Sequence, residues 1–134
     1  MKYVNDGGNL IVQYNTNNNV GPVRAKIGPY KFDIVNRRVT DENAEVTFLK
    51  PDHPVMNFPN RITQNDFKGW IQERSIYHAA NFDKNNYETI FSMHDPGEPN
   101  PDEGSLIIGK YGKGVFVYTG LVFFREVPAG VPGA

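Results

Sequence analysis

The segment from Ser105 to Thr119 constrains the fold more than any other, because it predicts two strands joined by a tight turn. Residues 105–111 and 115–119 are rich in β-branched and aromatic side chains. Gly112-Lys113-Gly114 lies between them and supplies the positive φ that a hairpin turn needs. We therefore expect a β-hairpin near the C-terminal end of the chain.

Four other short segments predict strands, at residues 9–14, 31–35, 44–49 and 88–93. The first, NLIVQY, reads as a continuous apolar run, which is typical of a strand covered on both faces. Pro51 and Pro54 end the third, because proline donates no hydrogen bond to a sheet. Residues 15–19 and most of 20–43 are expected to be irregular, since asparagine, glycine and proline interrupt them.

One helix is predicted, from Gln64 to Ser75. Thr63 can cap its first turn, and Asp66 three residues later makes a variant of the capping box. Side chains at helical spacing on one face are Phe67, Trp70, Ile71 and Arg74. Residues 76–87 follow as a predicted loop. Together these segments predict an α/β fold with a β-rich mixed sheet, a C-terminal hairpin and one main helix.

The composition limits the class of protein. The chain has 134 residues, which predicts a single domain over residues 1–134. Its net charge of −1 and the lack of a basic stripe argue against a nucleic-acid partner. No apolar run is long enough for a membrane span, and the N-terminus does not resemble a signal peptide. The absence of cysteine fits any compartment, so the localisation stays open. A secreted or periplasmic parent protein is one of the alternatives.

An acidic loop, SMHDPGEPNPDEG at residues 92–104, is the first candidate for chemistry. Its candidate ligand-binding residues are His94, Asp95 and Glu98, and Asp52 and His53 form a similar pair after an earlier strand. Imidazole and carboxylate suit zinc or manganese, and paired carboxylates serve glycoside hydrolysis. The spacing matches no known metal signature, however. Asp52 and Asp95 are more simply explained as caps of turns.

Aromatic residues offer a second kind of site. Trp70 with Tyr77, Phe82 and Tyr87 could form a surface on which a sugar ring stacks. Packing in the core is the favoured alternative. No nucleophile motif surrounds Ser75, Ser92 or Ser105, and no glycine-rich phosphate loop is present.

Several long segments together resemble one bacterial family. They are GGNLIVQYN, RVTDENAEVTFLKPDHPVMNFPNRIT, DFKGWIQERSIY, SMHDPGE and GKYGKGVFVYTGLVFFREVPAGVPGA. The chain resembles, over nearly its whole length, the C-terminal glutamine-amidotransferase-like region of large de-N-acetylases of the PIG-L/LmbE family. The resemblance implies a partial flavodoxin-like fold and a parent enzyme that removes N-acetyl groups from amino-sugar conjugates with zinc.

The residues that carry the family's chemistry are missing from this chain. The deacetylase motif has the form A-H-P-D-D with a later H-x-x-H, whereas Pro51 to Pro54 place similar letters in another order. True amidotransferases use a cysteine nucleophile, and this chain has none. The resemblance therefore implies that this chain has no catalytic residue, metal or cofactor, and that a deacetylase domain upstream is its partner. It also implies that the chain is a fragment of a larger domain, cut at both ends.

Three functions stay open at this point. The first is a non-catalytic accessory module of a zinc-dependent de-N-acetylase, structural or carbohydrate-binding. The second is a metal- or acid-dependent hydrolase that uses His53, His94, Asp95 and Glu98. The third is an oligomerisation or protein-interaction domain, since a partial sheet would expose apolar edges and favour a homo-oligomer; an exposed patch around Trp70, Phe123 and Phe124 would support it.

Overall fold

The computed structural model describes residues 1–20 and 22–134. The strands are β1 (Asn9–Gln13), β2 (Asn19–Val20), β3 (Val23–Arg24), β4 (Asp33–Val39), β5 (Thr47–Phe48), β6 (Ser75–Ala80), β7 (Glu88–Thr89), β8 (Phe91–Ser92), β9 (Leu106–Tyr111) and β10 (Gly114–Thr119). The helices are α1 (Lys2–Asn5), α2 (Pro54–Asn57) and α3 (Phe123–Ala129), with a 3₁₀ turn at Gln64–Phe67. The protein is a β-rich α/β fold with open sheets and few, short helices. None of the described helices is long and apolar enough to cross a membrane.

The main sheet has the strand order β1-β10-β9-β7. The predicted hairpin is confirmed, because β9 and β10 pair antiparallel around Gly112, whose φ is +59°. β1 pairs with β10 in parallel, and Gln13 aligns with Thr119. The sheet is therefore mixed, as the sequence predicted.

The predicted burial of the first strand is wrong. β1 forms at the expected place, but it lies at the edge of the sheet and its side chains alternate between exposed and half-buried. Ile11 on its outer face is 67% exposed. Among the described residues β1 has a neighbour on one side only, so the apolar run is not covered on both faces.

The predicted helix at residues 64–75 is also wrong, although its beginning is confirmed. Thr63 and Asp66 form the expected capping box, and a single 3₁₀ turn ends at Phe67. Gly69 and Gln72 then have φ values of +74° and +68°, which a right-handed helix does not allow. The apolar positions of the pattern are still used, since Phe67 and Trp70 are buried.

The loop predicted at residues 76–87 contains β6, which pairs antiparallel with β4. β6 carries positive φ at Tyr77 within the strand, and Asn81 has positive φ just after it. The register shifts around Tyr77, so that Asn36 and Arg37 of β4 stand opposite this single residue. This bulge hides the alternation by which a strand is found from sequence.

The other predicted strands differ in length. The strand expected at 31–35 runs on as β4, while only two residues of 44–49 form β5, which pairs with β8. The strand expected at 88–93 is divided at Ile90, because β7 joins the main sheet and β8 joins β5. The longest helix is α3, which the sequence did not predict.

Two apolar clusters hold these elements together. One surrounds Trp70, Phe91 and Met93, and the other surrounds Tyr87 and Phe116. The candidate site described below lies where β4 and β6 meet the acidic loop.

Candidate functional site

A cleft of about 570 Å³ lies between β4 and the acidic loop. Its polar lining includes Asn36, Arg38, Thr40, Asp95, Glu98 and Asn100. The buried side chains of His78 and Met93 also border it. Two of the predicted site residues, Asp95 and Glu98, are therefore part of one concave surface.

The acidic loop is closed at its base by backbone pairing. The N–H of Met93 donates to the carbonyl of Asp102 at 3.1 Å, and the N–H of Asp102 donates to the carbonyl of Met93 at 2.8 Å. A turn inside the loop brings the N–H of Glu98 to the carbonyl of Asp95 at 3.1 Å. The loop is thus a defined wall of the cleft.

Asp95 anchors this wall to the end of β4. Its carboxylate accepts hydrogen bonds from the Thr40 N–H at 2.9 Å, the Thr40 hydroxyl at 2.6 Å and the Asp41 N–H at 2.8 Å. Burial works to raise the pKa of Asp95, but these hydrogen bonds and the charge of Arg38 hold that pKa below its ordinary value. The oxygens of Asp95 are therefore largely committed to holding the loop.

A chain of polar contacts runs beneath the cleft. Nε2 of His78 is 2.7 Å from the hydroxyl of Ser75, and Nδ1 of His78 is 2.9 Å from Oδ1 of Asp102. Asp102 also accepts from the Gly104 N–H at 2.7 Å and pairs with Arg37 at 2.8 Å. Burial works to raise the pKa of Asp102, but His78, Gly104 and Arg37 together hold it below its ordinary value.

The order Asp102–His78–Ser75 is the order of atoms in a serine-hydrolase triad. Ser75 and His78 are both fully buried, however. Both ring nitrogens of His78 are within contact distance of a protein group. A substrate has no exposed face of Ser75 to approach, so the network serves to join β6 to the loop.

No periodic pattern in the sequence indicates this network. Residues three apart in a regular strand point to opposite faces. The positive φ of Tyr77, at 60°, changes that relation and turns His78 toward Ser75. A tyrosine in this conformation is uncommon, so sequence reasoning had no signal for it.

The remaining candidate residues lie apart from the network. His94 is exposed, and its Nδ1 lies 3.0 Å from the carbonyl of Asp95. His53 caps α2 through its Nδ1, which accepts from the Val55 N–H at 3.1 Å, and its Nε2 is 3.9 Å from Glu88. Asp52 is exposed next to it. Within residues 1–20 and 22–134, no three histidine or carboxylate side chains are grouped so that they could hold a metal ion.

The aromatic surface predicted around Trp70 is not formed as expected. Trp70 is 3% exposed and its indole N–H donates to the carbonyl of Asp66 at 2.7 Å. Tyr87 is buried as well, and its hydroxyl donates to the carbonyl of Tyr30 at 2.9 Å. Both side chains belong to the core, while Tyr77 and Phe82 are half-buried.

Comparison with known proteins finds no relative of this chain. No family model matches the chain, and no curated protein and no solved structure matches it.

Proposed function

We propose that this chain is a non-catalytic accessory module of a zinc-dependent carbohydrate de-N-acetylase related to the PIG-L/LmbE family, and that it binds glycan in the cleft between β4 and the acidic loop. The deacetylase domain would be its partner, and the fold would be part of a flavodoxin-like, amidotransferase-like layer. The parallel pairing of β1 with β10 supports this finer description of the fold.

The composition of the cleft is the observation that supports a glycan ligand. A carbohydrate presents many hydroxyl groups, each of which needs a donor or an acceptor. The exposed amides of Asn36 and Asn100 offer both, Arg38 offers a planar set of donors, and Glu98 offers acceptors. Within the described part of the chain, neither Arg38 nor Glu98 forms a salt bridge. Their hydrogen-bonding groups are thus open to a ligand.

Titration of the chain with a β-1,4-linked trisaccharide of N-acetylglucosamine, followed by NMR, tests this function. We expect shifts in residues 36–40 and 95–100. The substitutions Arg38→Gln and Glu98→Gln should each weaken binding about tenfold, because each removes a charged hydrogen-bond partner. The matched control Arg61→Gln changes an exposed arginine outside the cleft and should leave the affinity unchanged. Absence of binding, or zinc-dependent deacetylation by the isolated chain, would contradict the proposal.

Self-association is a second candidate function, and the edge strand β1 favours it. The segment NLIVQ has no charge and no proline, two of the devices that prevent strands from pairing at an edge. Ile11 at its centre is largely exposed. The patch expected around Trp70 does not support this function, because Trp70 is buried and Phe123 and Phe124 are half-buried.

The hydrolase alternative has less support. Asp95 is engaged with Thr40 and Asp41, while His53 and His94 contact different parts of the fold. These positions bring together neither a shared metal site nor an exposed acid and base pair built from the four predicted residues.

A further inference from the structure

A second cavity, of about 360 Å³, lies beside β3 and the start of β4 and shares no lining residue with the candidate cleft. Its volume is in the range of pockets that hold small molecules. We name it the lysine pocket, after Lys26 and Lys31, which line it together with Arg24, Ile27 and Tyr30 among others.

A buried asparagine holds the walls of the lysine pocket in place. Asn18 is 4% exposed, and its side-chain amide donates to the carbonyls of Ala25 at 3.4 Å and Phe32 at 3.1 Å. Its Oδ1 accepts from the Ile34 N–H at 3.3 Å. Three segments of the chain therefore meet at one side chain whose donors and acceptor are satisfied, so the pocket is formed without a ligand.

The pocket also has an apolar surface. Phe32 is buried, Ile27 and Tyr30 are half-buried, and all three pack in the second of the two apolar clusters. The Tyr30 hydroxyl donates to the carbonyl of Lys110 at 3.0 Å, which fixes the position of the ring. Walls of this kind favour a ligand with an apolar or aromatic body.

The charges around the lysine pocket are not balanced. Nη1 of Arg24 lies 2.8 Å from Oδ1 of Asp33, and the Asn81 amide donates to Oδ2 of Asp33 at 2.7 Å, so the charge of Arg24 is neutralised. Lys26 and Lys31 are exposed, and neither forms a salt bridge within residues 1–20 and 22–134. Among the described residues that line the pocket, Asp33 is the only carboxylate. The pocket is thus positively charged, in a chain whose net charge is −1.

We propose that the lysine pocket binds a small phosphate monoester whose organic part is an apolar or aromatic ring. Such a group carries nearly two negative charges at about pH 8, because its second pKa is about 6. This charge matches the unpaired Lys26 and Lys31, since lysine binds phosphate as a point charge. The ring would contact the apolar side chains of Ile27 and Phe32. The proposal adds a ligand of different charge on a different surface from the glycan cleft, and neither proposal depends on the other.

NMR titration of the intact chain with phenyl phosphate, at low salt and about pH 8, tests the lysine pocket. We expect shifts in the resonances of residues 24–27 and 30–33. Three further probes separate charge from ring. Inorganic phosphate has the charge without the ring, benzoate has the ring with a single charge, and benzyl alcohol has the ring with none. Each should bind at least about fivefold more weakly than phenyl phosphate.

Two substitutions test the lysines directly. Lys26→Gln and Lys31→Gln each remove one charge and keep much of the apolar stem, so each should weaken binding of phenyl phosphate about fivefold. The matched control is Lys68→Gln, because Lys68 is exposed and lies outside the pocket. It should leave the affinity unchanged.

Several outcomes would overturn the proposal. One is the same affinity for phenyl phosphate in all three lysine variants. Another is equally tight binding of inorganic phosphate or of benzyl alcohol, because the pocket would then read charge alone or the ring alone. Equal binding of benzoate would show that a second negative charge is not used. Shifts at residues 36–40 in place of 24–33 would show that the anion binds Arg38 in the cleft, and absence of any binding would also contradict the proposal.

Discussion

Nε2 of His78 lies 2.7 Å from the hydroxyl of Ser75, although the two residues stand three positions apart in one strand. The strand brings them to the same side because the backbone of Tyr77 is left-handed. With Asp102 on the other ring nitrogen, His78 joins the acidic loop to the sheet. The wall of the candidate cleft therefore depends on a buried network.

Asp102→Asn should lower the free energy of unfolding by about 2 kcal/mol, because it removes the charged partner of a buried histidine. Denaturation in urea measures this change. The matched control is Glu103→Gln, which alters the neighbouring carboxylate, paired with the exposed Lys84. That control should cost less than about 1 kcal/mol. Equal losses of unfolding free energy in the two variants would mean that the contact between Asp102 and His78 stabilises the fold no more than the exposed pair of Glu103 and Lys84 does.

Ser75 should not react with a fluorophosphonate, even though it is joined to His78 and Asp102 in the order of a catalytic triad. The reason is that Ser75 and His78 expose no surface. Mass spectrometry of the treated chain provides the measurement, with a serine hydrolase treated in parallel to show that the reagent is active. Stoichiometric modification at Ser75 would show that the network opens and can act as a nucleophile.

The stabilising contribution of Asp95 should be lost in acid. Its pKa is lowered in the folded state, so its contribution to stability is fully present above the unfolded pKa of about 4. That contribution is lost as the pH falls through the lower, folded pKa. The substitution Asp95→Asn should therefore flatten the loss of stability as the pH falls below about 4. Thermal melts across this range test the prediction, and an unchanged slope would contradict it.

Glu126 should change the pH dependence of stability in the direction opposite to that of Asp95. It is buried in α3, and burial raises its pKa, although both carboxylate oxygens accept from the Ile71 N–H, at 3.2 and 3.1 Å. A raised folded pKa means that its contribution is present below the unfolded pKa, near about 4.3, and is lost as the pH rises through the folded value. Glu126→Gln should then be at least as stable as the original chain at neutral pH and should lose that advantage in acid. Marked destabilisation at neutral pH by urea denaturation would disagree.

Ile11→Lys tests self-association through β1. If two copies pair along this edge, a charge at the exposed centre of the strand should shift the chain toward monomer. Light scattering over a range of concentrations measures the mass. The substitution Val23→Lys, at another exposed apolar position, serves as the control. A monomer before substitution would remove the basis for this function.

The sequence by itself determined the local features of this protein. The turn glycines and β-rich flanks around residues 105–119 predicted the hairpin, and Thr63 with Asp66 predicted the first helical turn, because each depends on neighbours within a few residues. The β-rich α/β class followed from the same local signals. The backbone of Asp95 closes a turn by accepting from the Glu98 N–H, as the sequence suggested, but the bonds of its carboxylate to Thr40 and Asp41 were not predicted.

Only the tertiary structure decided how distant segments meet. Helical spacing at Phe67 and Trp70 could not reveal that positive φ at Gly69 and Gln72 stops the helix. The place of β1 at the edge, and hence the exposure of Ile11, depends on which strands pair across the fold. The Ser75–His78–Asp102 network likewise depends on the positive φ of Tyr77 and on the approach of the distant Asp102, so no pattern of neighbouring residues could predict it.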